Sequence, residues 1–129
     1  MYPPGEKVRL GLDLKGGVHM VLRVQTDDAL RIETETNMER VREVLEVRSI
    51  GVGAMAMESP TRFRIESISP AQDAEFRAIT DEQLLVVYRR ESGAGGRYAF
   101  EMRPNMAVSL REESVRQALQ TIERRVNEL

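Results

Sequence analysis

Every even position from 8 to 24 is apolar or Gly, and residues 11–17, Gly-Leu-Asp-Leu-Lys-Gly-Gly, interrupt the apolar/polar alternation without changing its parity. Val8, Leu10, Leu12, Leu14, Gly16, Val18, Met20, Leu22 and Val24 occupy every even position. In extended backbone successive side chains point to opposite sides, so this pattern predicts one long strand with an apolar face. Arg9, Asp13, Lys15, His19, Arg23 and Gln25 fall on the other face. Such a strand is about three times the usual five or six residues, so Gly16 and Gly17 are expected to mark a bend or bulge.

The remaining elements follow from periodicity and punctuation. Thr26, Asp27 and Asp28 offer side-chain oxygens to a helix start, and no Pro or Gly interrupts residues 29–50. Leu30, Met38, Val41 and Leu45 form its apolar stripe, weakened by the Thr and Asn content of 34–37. Gly51 and Gly53 suit the helix exit, residues 52–57 read as a strand closed by Ser59-Pro60, and 62–68 as its hairpin partner. Ser69-Pro70-Ala71-Gln72 has the form of a capping box opening a helix to about Thr80, anchored by Phe76 and Ile79. Residues 84–89 and 97–102 predict a second hairpin around the turn at 92–96. Ser109 and Glu112 form another capping box, and Val115, Leu119, Ile122, Val126 and Leu129 repeat at helical spacing to the end. The order predicts an α+β fold: a ferredoxin-like βαββαβ antiparallel sheet with helices on one face, plus an extra strand and a C-terminal helix. A chain of 129 residues fits a single domain over 1–129.

Composition narrows the function. The charge is −2, with 8 basic against 10 acidic residues up to Pro60 and 11 against 11 after it, so there is no basic lobe for nucleic acid. With no Cys, thiol chemistry and disulfides are excluded, and the single His19 cannot complete a His-pair metal site or a histidine triad. No window approaches the eighteen or so apolar residues of a membrane span. Residues 11–17 are no phosphate loop, because Lys15 precedes Gly16 instead of following it and Val18 stands after Gly17. Residues 51–56 spell a dinucleotide fingerprint, but here the helix precedes the strand. Asp27 with Asp28, and Glu112 with Glu113, read as charges at helix starts rather than catalytic pairs. His19 is expected on the solvent side, and Asp13 is expected to accept hydrogen bonds from amides freed by the glycine bend. No catalytic constellation, cofactor site or metal site is predicted. Seven Met residues fill the core or give an adaptable apolar surface.

Residues 11–17 with the following Val-His-Met-Val-Leu-Arg-Val resemble the start of the first extracytoplasmic domain of the SecD family, accessory membrane subunits of the Sec protein-export machinery. The segment 114–129, ending Arg-Arg-Val-Asn-Glu-Leu, looks like the SecD helix with an Arg-Val-Asn-Glu-Leu-like ending. The resemblance implies that Gly11, Leu12, Asp13, Leu14, Gly16 and Gly17, with Arg125, Val126 and Asn127, form a structural signature that determines the fold. It further implies a non-catalytic periplasmic domain of a bacterial inner-membrane protein, cut from its membrane helices. Its partners would be SecF, the SecYEG channel and an unfolded secretory polypeptide, whose export the proton gradient assists. Proton-carrying residues of that family belong to membrane helices, so none is carried onto this chain. Since the family's domain continues past this ending with more strands, sheet edges are expected to be exposed and the chain to self-associate. Two competitors remain: a ferredoxin-like module binding a small ligand, and an RNA-binding sheet, which needs exposed aromatics among Phe63, Tyr88, Tyr98 and Phe100.

Overall fold

The computed structural model describes residues 6–128, with side chains for residues 23–125. Helix α1 runs Glu6–Val47, followed by strands β1 (Ala54–Ser59) and β2 (Arg62–Glu66). A 3-10 turn at Pro70–Gln72 leads into α2 (Asp73–Gln83), then β3 (Tyr88–Ser92), β4 (Tyr98–Met102) and α3 (Pro104–Glu128). The class is α+β, as the sequence predicts.

The two hairpins join through their second strands, giving an antiparallel sheet of order β1-β2-β4-β3. Register places Phe63 opposite Phe100 and Ile65 opposite Tyr98, so the alternation of both strands points the same side chains inward. Phe63 stacks on Phe100 with ring centroids 5.0 Å apart and meets the edge of Tyr88 at 5.3 Å. Phe76 of α2 packs on Tyr98 at 4.8 Å. The expected stripe of α1, Leu30, Met38, Val41 and Leu45, closes this core, and Ala107 adds α3 to it. All helices therefore cover one face, and the other face is charged.

The first element departs from expectation. Residues 8–24 lie in α1, so the expected strand is absent and the helix start at Thr26 to Asp28 is helix interior. Thr26 instead donates its hydroxyl backward to the Arg23 carbonyl at 2.8 Å, and Asp28 pairs with Arg31. The physical reason is twofold. A period of two also places Leu10, Leu14, Val18 and Leu22 four apart, on one side of a helix, so the pattern alone does not choose. A strand also needs a ladder partner, whereas a helix satisfies its backbone amides and carbonyls within the segment.

Smaller shifts have local causes. The strand expected at 84–89 begins only at Tyr88, because the amides of Leu84, Val87 and Tyr88 are used in a turn that seats Leu84 in the core. Helix α3 starts at Pro104, a residue suited to the first helical position, so Ser109 is interior and caps nothing. Ser69 does cap, accepting from the Ala71 amide, but Gln72 turns away to hold the α1 exit through Ser49 O and Gly51 N.

Candidate interaction surface

Three polar or exposed regions stand on this frame. The first is buried. Tyr88 donates its hydroxyl to Thr34 Oγ1 at 2.9 Å, Thr34 donates to the Pro60 carbonyl at 2.7 Å, and Asn37 Nδ2 lies 3.3 Å from the Tyr88 oxygen. Arg40 then bridges Asn37 Oδ1 and the Gln83 carbonyl. Burial pushes the Tyr88 hydroxyl above its ordinary pKa. Thr34 and Asn37, which make the α1 periodicity look weak, are thus the polar bolt tying α1 to β3 and to the β1–β2 turn. Their signal in the sequence is two polar residues set within an apolar stripe.

The second region is the outer face of the sheet. Arg62 reaches Glu58 at 2.9 Å, Glu91 at 3.0 Å and Glu101 at 3.1 Å, linking all four strands, while Arg64 pairs with Glu58 and Glu66. Hydrogen bonds from Arg62 hold the Glu58 and Glu91 carboxyls below the usual carboxylate range, and these same partners raise the Arg62 guanidinium. A shallow depression of about 420 Å³ opens on this face among Arg62, Arg64, Glu66, Glu91, Arg97 and Ala99. Its charges largely compensate one another. Phe63, Tyr88, Tyr98 and Phe100 all point the other way and are buried, so this face offers no base-stacking platform.

The third region is the outer edge of β1. Strand β1 reads Ala-Met-Ala-Met-Glu-Ser and pairs only with β2, leaving its far side without a neighbour among the described residues. Beside it, Leu45, Ile50, Val52 and Met55 floor a groove of about 240 Å³ rimmed by Arg42 and Glu46 of α1. The opposite edge, β3, carries Arg89, Arg90 and Glu91, charges of the kind that discourage strand addition.

The residues expected from the sequence to form a signature are separated by these elements. Gly11, Leu12, Asp13, Leu14, Gly16 and Gly17 have helical backbone within α1, and their side chains, like that of His19, lie outside those described. Arg125 is exposed in the last turn of α3, with Val126 and Asn127 following in the same helix. Asp28 lies mid-helix, and Glu112 and Glu113 are exposed on α3. Among the described residues no three His, Asp or Glu side chains gather in a metal-binding group, and no helix is long and apolar enough to cross a membrane.

Comparison with known proteins points one way. A family model described as the SecD/SecF GG motif matches residues 5–28. The protein translocase subunit SecD of Koribacter versatilis is 35% identical over 127 residues, covering 95% of this chain and 24% of that subunit. SecD of Calditerrivibrio nitroreducens is 24% identical over 99% of the chain, and SecD of Salmonella choleraesuis 30% identical over 96%. The chain spans about a quarter of the length of the first two of these relatives. No solved structure gives a significant match. A motif at one end and alignments running from end to end concur: the chain belongs to the SecD family.

Proposed function

We propose that this chain is a non-catalytic, extracytoplasmic module of a protein-export accessory subunit, making transient contact with polypeptide that leaves the Sec channel. The observation that carries this reading is the near-complete alignment with translocase subunits named SecD. In this reading SecF and SecYEG are partners of the whole subunit, the proton gradient acts through membrane helices elsewhere in it, and the module lies on the periplasmic side. The signature residues Gly11 to Gly17 and Arg125 to Asn127 serve the fold and not chemistry, and residues 1–129 act as one domain. The surface is consistent with weak, sequence-tolerant contact: the charged sheet face is internally paired, whereas main-chain groups along a strand edge bind extended backbone whatever its side chains.

The test is a titration of the isotope-labelled chain with an unfolded secretory polypeptide, following backbone amide shifts, with the same polypeptide folded as control. Saturable shifts with the unfolded form only are expected. Shifts of equal size with both forms, or none with either at high concentration, would overturn the reading.

A further inference from the structure

We propose that the outer edge of β1, from Gly53 to Ser59, is where an extended polypeptide docks, adding a fifth strand to the sheet and placing one side chain in the adjoining groove. This rests on the export reading above and names the surface and the ligand chemistry.

The two free edges of the sheet differ in kind. Strand β3 is guarded by Arg89, Arg90 and Glu91, whereas residues 54–57 of β1 carry no charge at all. An uncharged edge presents unpaired amides and carbonyls to whatever extended chain arrives, and proteins normally blunt such edges. Among the described residues it is left open. Residues Met55 and Met57 sit half-buried on the inner side, so an added strand finds flexible, polarizable side chains that adapt to varied neighbours.

The groove completes the site. Leu45 and Ile50, which are 1% and 4% exposed, form its floor with Val52 and Met55, and its volume of about 240 Å³ suits a single apolar side chain. The rim sets the sign of the flanking residue. Arg42 is engaged by Glu39 at 2.9 Å, while Glu46, exposed on the rim, makes no ion pair among the described residues. Local charge on this side is therefore negative. The occupant that fits is an extended segment with a Val- or Leu-sized residue in the groove and a basic residue beside it. Such a segment binds weakly, since main-chain bonds replace bonds to water and contribute modestly each.

The experiment uses the full 129-residue chain, isotope-labelled, and a soluble peptide alternating valine and threonine with a lysine at one end. A second peptide, N-methylated at alternate amides, lacks the donors on one edge. The expected result is shifts concentrated at residues 53–59 and at Leu45, Ile50 and Val52, with the methylated peptide weaker by about tenfold or more. Ala54→Lys, at an exposed position, is expected to abolish those shifts while keeping the free spectrum dispersed. Glu46→Lys should weaken the lysine-bearing peptide and leave a lysine-free one unchanged. Should Ala54→Lys unfold the chain, the methylated peptide decides alone. Equal binding of the two peptides, or shifts mapping to α3 or to the outer sheet face, would overturn the edge as the site while leaving the export reading intact. Silence toward both the peptide and an unfolded polypeptide would overturn both. Peptide-free pairing of two chains through β1, seen as concentration-dependent shifts at the same residues, would make a second copy the occupant and overturn polypeptide capture.

Discussion

Tyr88 sits where α1, β3 and the β1–β2 turn meet, and its hydroxyl is the one group that touches both polar residues of the α1 stripe. Removing that oxygen leaves Asn37 Nδ2 with Glu33 alone and deprives Thr34 Oγ1 of its donor. Tyr88→Phe is therefore expected to cost about 1 to 2 kcal/mol, the penalty of leaving buried polar atoms short of a partner. Urea unfolding measures it directly. Thr34→Val combined with Tyr88→Phe should cost less than the sum of the two, because the second change removes a group the first has already stranded. Strict additivity would show that the hydroxyl pair is not coupled. The 92–96 turn gives a second contrast at this scale. Gly95 and Gly96 both have positive φ, 71° and 74°, but a Cβ on Gly95 meets nothing within 4 Å while one on Gly96 would stand 2.3 Å from the Ile68 carbonyl oxygen. Gly95→Ala should cost about 1 kcal/mol from backbone preference alone, and Gly96→Ala distinctly more. Thermal melts of the two variants check the order, and equal losses would refute the close approach.

Among the elements, α1 carries the sharpest consequence. Helical backbone through Gly16 and Gly17 places two glycines in a helix interior, where each is about 1 kcal/mol worse than alanine. Gly16→Ala with Gly17→Ala is therefore expected to raise the melting midpoint and the helical circular dichroism signal. A fall in both would mean that the pair works in extended backbone, as the alternation of 8–24 suggests. That ambiguity explains what the sequence made legible and what it hid. Strand β4 and the Phe76 and Ile79 anchors of α2 could be read directly, because turns and alternation bounded them and no rival pattern fitted. The 84–87 run misled, since apolar residues that plug a core through a turn look like those of a strand. The polar bolt was hidden for a different reason: the value of Thr34 and Asn37 depends on Tyr88, which is more than fifty residues away in the chain. The uncharged β1 edge was likewise undecided until strand order showed which strands lie outermost.

At the scale of the whole molecule, the Arg62 network joins all four strands on the one face that no helix covers, so it couples both hairpins to pH. Glu58 and Glu91 have folded-state pKa values depressed below the ordinary 4.5, chiefly by hydrogen bonds from Arg62. The unfolded chain, in which those partners are lost, then binds more protons than the folded one as pH drops through that range. Stability from these pairs is present above about pH 4.5 and is lost as pH falls through the depressed folded values. Because the groups are exposed, added salt screens their attraction and flattens the acid limb. Urea midpoints followed from about pH 6 down to about pH 3, at low and at high salt, should show a decline that salt reduces. Arg62→Gln removes the shared cation while leaving Arg64 hydrogen-bonded to Glu58 and Arg89 only at 3.9 Å from Glu91, so the Glu91 carboxyl should move most of the way back toward its ordinary value and Glu58 less. Carboxyl carbon shifts, titrated residue by residue, separate those two responses. Unchanged titration of Glu91 in that variant would remove Arg62 as the electrostatic link between the hairpins, leaving the backbone pairing of β2 with β4 and the Phe63–Phe100 stack to join them.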